Sequence, residues 1–164
     1  MPDTFSDSLI ALLPNLKRFA MSLCQRQDVA DDLVQITAER AFQSRSKFDP
    51  STRLEAWLFR ILRNAWIDMV RRNKTRGIEI EPTDALDMPS VDGVRDIEAR
   101  LMLDQTNAAL QTLVEEQREV IILVCMEEMT YKETANILEV PTGTVMSRLS
   151  RARVALAEKL GINS

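Results

Sequence analysis

One segment of this chain breaks an otherwise helical pattern. Residues 77–94 contain two of the six prolines, two of the four glycines and five acidic residues, and their apolar residues follow no repeat. On either side, apolar residues recur three and four positions apart, as in amphipathic α-helices. The pattern predicts an all-α fold of two small helical domains, residues 1–76 and 95–164, joined by a flexible acidic linker over residues 77–94.

The apolar repeat also predicts where the helices lie. We expect a short helical entry over residues 6–13, with Pro14 opening or kinking the next helix rather than sitting inside it, because a proline in a helix removes a backbone hydrogen bond. Thr130 and Glu133 fit a capping box at the start of a later helix. The remaining predicted helices span residues 15–24, 28–44, 53–76, 95–113, 115–126, 130–138 and 142–160.

The net charge of −4 is unevenly distributed along the chain. Residues 41–77 hold nine basic and three acidic residues, and residues 142–164 hold four basic and one acidic. Between them, residues 78–141 hold four basic and fifteen acidic residues. This pattern favours two surfaces that face nucleic acid on a body that otherwise repels it. Because phosphate contacts supply most non-specific affinity, we expect the chain alone to hold DNA weakly.

Residues 130–153 have the pattern of a helix-turn-helix, which lays its second helix in the major groove of DNA. Ala135 is small where the two helices approach each other, and residues 140–143 provide the break. Side chains near the front of the second helix would meet base edges, and those further along would meet phosphates. The alternative is an amphipathic hairpin with a solvated basic face. The outward-facing candidates are Thr144, Ser147, Arg148, Arg151 and Arg153.

The predicted third helix carries a polar and basic face interleaved with aromatic residues. Basic groups can follow a nucleic-acid backbone, while aromatic rings or an amide can hold an unstacked base. The helix therefore favours strand separation over duplex reading. The alternative is that Trp57, Phe59 and Trp66 are core residues and the arginines serve solubility; for Trp57 we expect core packing. The polar candidates are Arg60, Arg63, Asn64, Asp68, Arg71 and Arg72.

A third cluster lies in the predicted second helix and comprises Asp31, Asp32, Leu33 and Gln35. A protein-docking surface is the favoured interpretation, and a solvated face suited to the helix dipole is the alternative. A metal site would need more oxygen ligands, and the chain has no His. We therefore predict neither a metal nor a cofactor.

Several function classes find no support in the sequence. There is no glycine-rich phosphate loop, no metal-ligand spacing and no nucleophile paired with a base, so we do not predict an enzyme. No apolar run approaches the roughly 18 residues of a membrane span, and the N-terminus lacks the pattern of a secretory signal. We expect a cytoplasmic protein in which Cys24 and Cys125 are buried and reduced.

Together these motifs resemble the bacterial sigma-70 family, specifically its small extracytoplasmic-function members. The resemblance covers residues 8–160, and the order and spacing of its motifs make it specific. The opening residues 9–20 are also similar to the branch that directs the general stress response in alphaproteobacteria. The motifs are Ala30–Gln35, Ala56–Asn64 with Asp68 and Arg71-Arg72, Gln117–Val120, Tyr131–Ala135 and Gly143–Arg153.

The resemblance implies a promoter-specificity subunit of RNA polymerase. The cluster at Asp31, Asp32, Leu33 and Gln35 would bind the clamp helices of the polymerase β′ subunit. The six polar candidates of the third helix, hereafter the −10 residues, would engage the −10 promoter element, with Asn64 holding a flipped base. The five helix-turn-helix candidates, hereafter the −35 residues, would read the −35 element of promoter DNA, while the domain's apolar surface would dock the β flap.

Regulation by an anti-sigma factor, of the NepR type or another, is also implied, and the acidic linker would follow the RNA-exit path. Two positions depart from the family pattern: Ile36 follows Gln35 where Glu is common, and Met146 replaces a common basic residue. The −35 sequence preference therefore cannot be carried over. A free-standing, dimeric helix-turn-helix regulator is the alternative function, but it leaves the basic third helix and the linker without a role.

Overall fold

The structure, a computed structural model, describes residues 4–80 and 106–161, and these residues form helices and turns without a strand. The all-α prediction is confirmed. The predicted linker and the start of the predicted helix over residues 95–113 fall largely outside the described residues, and residues 106–112 are helical as predicted. None of the described helices is long and apolar enough to cross a membrane.

Three helices build the N-terminal half. Helix α1 spans Thr4–Cys24, α2 spans Gln27–Gln43 and α3 spans Leu54–Thr75, with a short 3-10 turn at Arg45–Lys47 before α3. The three helices pack against one another around large, fully buried side chains. These include Leu16, Phe19, Leu33, Leu58, Phe59 and Leu62.

Helix α1 runs through Pro14 without a break, so the prediction that this proline opens or kinks a new helix is wrong. Pro14 has no N–H to donate, which leaves the carbonyl of Ile10 without its usual helix partner. Ile10 is 60% exposed, so water can serve that carbonyl. Leu9 and Leu16, before and after the proline, are both buried, and their burial holds both segments of the helix against one core.

Two short helices and one long helix form the described C-terminal half after residue 113. Helix α4 spans Glu115–Ile121 and continues as a π-helical turn over Ile122–Met126, where the predicted helix was regular. Helix α5 spans Tyr131–Leu138 and α6 spans Thr142–Lys159. In the π-helical turn the side chain of Cys125 is exposed, so the expectation of two buried cysteines holds for Cys24 and is wrong for Cys125.

The ends of α5 and α6 follow from local chemistry. The Thr130 hydroxyl accepts from the Glu133 backbone N–H at 3.0 Å, and the Glu133 carboxylate accepts from the Thr130 N–H at 2.9 Å, which confirms the predicted capping box. Glu139 ends α5 in the left-handed conformation with φ 57°. Pro141 precedes the first turn of α6, which contains Gly143. The break therefore lies at residues 139–141, slightly before the predicted position.

The two halves pack together. Helix α3 of the N-terminal half contacts α5 of the C-terminal half, and a single cluster of buried apolar residues includes members from both, among them Phe59 and Leu123. The surface of α3 is therefore partly covered by the helix-turn-helix.

Candidate nucleic-acid interface

The −10 residues lie along one helix, α3, which the core holds in place. Arg60, Asp68, Arg71 and Arg72 are exposed, while Arg63 and Asn64 are half-buried. Asp68 accepts a hydrogen bond from Arg40 of α2 at 3.1 Å. The helix thus presents an amide at its middle with cationic groups toward both ends, which is an arrangement suited to holding a base between backbone phosphates.

The aromatic residues of α3 are structural. Phe59 is fully buried and its ring centroid lies 4.9 Å from that of Phe19, and Trp66 is buried in the same apolar cluster. Trp57 packs against Phe48 at 5.2 Å and Phe5 at 6.3 Å between ring centroids. The core-packing alternative is therefore correct for these aromatics, and base stacking on Phe59 or Trp66 is not available in this structure.

The −35 residues lie on α6. Val145, Leu149 and Ala152 are buried on its inner side, which turns the opposite side outward. Thr144 is half-buried, Ser147 is exposed, and the Ser147 hydroxyl donates to the Thr144 carbonyl at 3.2 Å.

The arginines of α6 differ in their partners. Arg148 lies 3.6 Å from Glu116 of α4, an ion pair within the C-terminal half. Arg151 and Arg153 are exposed and make no ion pair with any described residue. The outer side of α6 is therefore available to a polyanion in this arrangement.

The predicted docking cluster on α2 divides into an exposed part and a buried part. Asp31, Asp32 and Gln35 are exposed, and Asp31 lies 2.7 Å from Lys17 of α1. Leu33 is fully buried, so its side chain is not exposed to a partner in this structure. Its position in the α2 helix turns it toward the three-helix core, where it anchors the helix that displays the polar residues.

Within residues 4–80 and 106–161, no group of three or more Cys, Asp or Glu is placed to hold a metal ion. Cys24 is buried, and its burial raises the pKa of the thiol to about 11; the thiol donates a hydrogen bond to the Arg26 carbonyl, with an Sγ–O distance of 3.2 Å. A thiol with so high a pKa is a poor nucleophile at neutral pH.

Ion pairs between the two halves are the part of the site that sequence reasoning missed. Arg63 Nε donates to Glu119 at 3.2 Å, and Arg60 donates to Glu139 at 3.0 Å. The opposite charges of residues 41–77 and 78–141 were the available signal, but residue spacing does not pair individual side chains across two domains.

Two further arginines of the N-terminal half complete these contacts. Arg18 of α1 binds both carboxylate oxygens of Glu127, at 2.6 and 2.8 Å, and this hydrogen bonding raises the pKa of Arg18. Arg53 donates to the Glu133 carboxylate at 3.0 Å and to the Glu128 carbonyl at 3.2 Å. We call the four Arg–Glu contacts between the halves the interdomain ion pairs.

The two halves match two parts of one protein family. Residues 9–76 match the family described as Sigma-70 region 2, and residues 103–156 match Sigma-70, region 4. The chain is also 36% identical to the ECF RNA polymerase sigma factor EcfG of Rhodopseudomonas palustris, across 99% of this chain and 88% of the relative. The chain belongs to the extracytoplasmic-function sigma factors. The fold is accordingly two sigma domains, region 2 followed by region 4.

Other relatives agree with this assignment. The sigma factor is 29% identical to the ECF RNA polymerase sigma factor SigW of Bacillus subtilis, across 96% of this chain and 89% of the relative. Among solved structures, it resembles the sigma factor RpoE of Bartonella quintana in complex with the anti-sigma factor NepR. That match has a TM-score of 0.80 and 35% identity, covering 98% of this chain and 99% of RpoE.

A second solved structure has the same architecture. CnrH in complex with the cytosolic domain of CnrY matches with a TM-score of 0.68 and 28% identity, covering 98% of this chain and 89% of CnrH. Because the RpoE and CnrH matches span both sigma domains, the likeness extends over the whole arrangement and is not confined to one helix-turn-helix.

Proposed function

We propose that this sigma factor binds core RNA polymerase and directs it to promoters by recognising −10 and −35 elements and assisting promoter melting, with no catalysis of its own. The observation that carries the proposal is the placement of an amide and cationic residues along one rigid helix, α3, in the same chain as a helix-turn-helix with exposed arginines. The first surface suits an opened strand and the second suits a duplex.

Asn64 is the centre of the proposed −10 contact. Its amide can both donate and accept hydrogen bonds, so it can recognise the edge of a single flipped base. Phe59 and Trp66 are buried on the same helix, and this anchoring holds the helix backbone in place. Arg60, Arg63, Arg71 and Arg72 would bind the flanking phosphates, and Asp68 would orient the neighbouring cations. Extruding a base costs a few kcal/mol, which the captured base and the polymerase contacts would offset.

The −35 contact would be made by α6. Ser147 and Thr144 near its N-terminal end can reach base edges, Arg148 and Arg151 can reach guanine edges or phosphates, and Arg153 would meet the backbone. Met146 is 53% exposed between them and would place an apolar side chain in the groove, which suits a thymine methyl rather than a phosphate.

Polymerase would be bound through both domains. The exposed polar residues of α2, Asp31, Asp32 and Gln35, would contact the clamp helices of the β′ subunit, while the buried Leu33 would hold α2 in place beneath them. The apolar surface of the region 4 domain would dock the β flap. We propose domain boundaries at residues 1–76 and 95–164, with the acidic residues 77–94 following the RNA-exit path.

An anti-sigma factor is the proposed regulator. RpoE of Bartonella quintana is held by NepR and CnrH by the cytosolic domain of CnrY, and both matches span the two sigma domains. On that support we propose that this chain is inhibited by a protein of the NepR type and released in a stress response.

Transcription from genomic DNA tests the proposal. Core polymerase with the sigma factor, followed by sequencing of RNA 5′ ends, should give start sites preceded by a common two-block sequence. The Asn64→Ala variant should bind core polymerase as well as the parent but form open complexes about 5- to 150-fold more slowly, since about 1–3 kcal/mol of base recognition is lost. Asn136→Ala, at an exposed position on α5, is the matched control. Equal loss of polymerase binding and melting would mean that Asn64 is structural.

A further inference from the structure

All four interdomain ion pairs have the same polarity across the interface. In every pair the arginine belongs to the region 2 domain and the glutamate to the region 4 domain. Two of the arginines are −10 residues, so the acidic side of the region 4 domain occupies cations proposed for DNA. The pairs are Arg18–Glu127, Arg53–Glu133, Arg60–Glu139 and Arg63–Glu119.

The guanidinium of Arg63 is not accessible to a polyanion. The side chains of Arg63 and Glu119 are 17% and 4% exposed, and the N–O distance is 3.2 Å. A phosphate cannot reach that guanidinium while Glu119 lies against it. Arg60 is more open, with 49% of its side chain exposed, but its guanidinium is engaged by Glu139 at 3.0 Å.

The covering glutamates are spread over the region 4 domain and are not on one helix. Glu119 lies in α4 and Glu139 ends α5. Because α5 itself packs against α3, both carboxylates are positioned by the same docking of the two domains. Moving the region 4 domain away would release both arginines together.

We infer that the region 4 domain acts as an internal competitor for the −10 surface: its carboxylates occupy the places of DNA phosphates on Arg60 and Arg63 until the two domains separate. The inference rests on the proposed role of these two arginines. It adds that the chain restrains its own −10 contact in the absence of any second protein.

The chemistry of the pairs allows this contact to be reversible. A buried ion pair gains little net stability because desolvation offsets the attraction, and an exposed pair contributes little as well. When the domains separate, the glutamates regain water while the arginines gain phosphates, so each carboxylate contact is exchanged for a phosphate contact. Since exposed pairs are screened by ions, salt alone should also favour separation.

Energy transfer between two dyes in the full-length chain can report the separation. One dye would be attached to the exposed native Cys125, and the other to a cysteine introduced by Ser46→Cys at an exposed position of the region 2 domain. The buried Cys24, with a thiol pKa of about 11, should remain unlabelled. Transfer should be high in the parent and fall as salt is raised.

The test variant is the double substitution Glu119→Ala with Glu139→Ala, which removes both carboxylates that face −10 arginines and leaves no acceptor in their place. The matched control is Glu115→Ala with Glu158→Ala, which removes two charges from the same domain at exposed positions outside the interdomain ion pairs. The probe is a fluorescent 12-nucleotide single-stranded DNA of mixed sequence.

We expect the test variant to lose energy transfer and to bind the oligonucleotide about tenfold more tightly than the control variant, since two such pairs together are worth about that factor. Adding Arg60→Ala and Arg63→Ala should abolish the gain. Equal affinity of the test and control variants, or unchanged energy transfer in the test variant and in the parent at high salt, would overturn the inference.

These outcomes are separate from those of the proposed function. The oligonucleotide and energy-transfer measurements use no polymerase, so they judge only whether the region 4 domain covers the arginines. A wrong −10 assignment would instead appear in the transcription assay as Asn64→Ala melting promoters at the parental rate.

Discussion

The two helices proposed to contact DNA, α3 and α6, differ in whether their arginines are paired with the other domain. On α3, Arg60 and Arg63 are paired with glutamates of the other domain. On α6, Arg151 and Arg153 are exposed, and Arg148 pairs with Glu116 of its own domain. The same residue type is therefore covered on one surface and displayed on the other, within one folded chain.

This difference teaches that sequence charge does not by itself define a usable binding surface. The basic segment containing α3 carries a net charge of +6, yet part of that charge is neutralised by the docked region 4 domain. The smaller excess on α6 remains accessible. In the closed arrangement, a duplex would thus meet the −35 residues before the −10 residues.

The largest expected effect comes from removing the support beneath α3. Phe59→Ala deletes a fully buried ring that packs on Phe19, and should lower the free energy of unfolding by about 3–5 kcal/mol. Because one apolar cluster includes residues of both domains, we expect a single urea transition. Phe42→Ala, at a position 44% exposed, is the control and should cost much less. Two separate transitions in the parent would show that α3 and α6 belong to independent units.

The next effect compares a buried interdomain pair with an exposed one. Arg18→Met leaves the carboxylate of Glu127, which is 1% exposed, without its guanidinium partner and should destabilise the chain by about 1–3 kcal/mol. Arg60→Met breaks a pair that is about half exposed on both sides and should cost below about 1 kcal/mol. Denaturant titration measures both variants. If they were equally destabilised, burial would not distinguish the two contacts.

The helical fold was largely predictable because each helix carries its own signals. Thr130 and Glu133 specify the start of α5, and the buried positions of α6 follow a helical repeat. The prediction for Pro14 is wrong because local propensity places a proline at the start of a helix. In the structure, the burial of Leu9 and Leu16 on either side of Pro14 outweighs the backbone hydrogen bond that the proline cannot make.

The sequence indicates which helix carries each candidate site residue, but it does not indicate which side chains that residue contacts. Leu33 falls within a polar motif but is fully buried, so the motif alone does not tell which of its residues a partner can reach. The pairing of Arg63 with Glu119 joins residues 56 positions apart in the chain. Such a contact depends on how two domains dock, which neither periodicity nor charge composition encodes.

A moderate effect on DNA affinity would sharpen the contrast between α3 and α6. In the chain without polymerase, Arg151→Ala should weaken duplex binding severalfold and reduce the slope of log affinity against log salt by about 1. Arg60→Ala should leave both values near those of the parent, because Glu139 already occupies that guanidinium. Fluorescence anisotropy over a salt series measures the slopes. Equal losses from the two variants would show that α3 is not covered.

The smallest expected effect is a pH dependence of the free energy of unfolding that arises from Glu119, the most buried carboxylate paired with α3. Burial raises the pKa of Glu119 above its ordinary value of 4.5, and Arg63 only partly opposes this. The folded chain therefore holds that proton more tightly than the unfolded chain. The stabilisation linked to it is fully present below pH 4.5 and is lost as the pH rises through the raised pKa.

Glu119→Gln does not titrate and can still accept the hydrogen bond from Arg63. As the pH rises from 4.5 toward neutrality, the free energy of unfolding of the parent should therefore fall relative to that of the variant. Glu116→Gln, where 69% of the side chain is exposed, should follow the parent at every pH. A Glu119→Gln curve parallel to the parental one would mean that Glu119 is ionised without penalty, and that the cover over Arg63 is better solvated than this structure indicates.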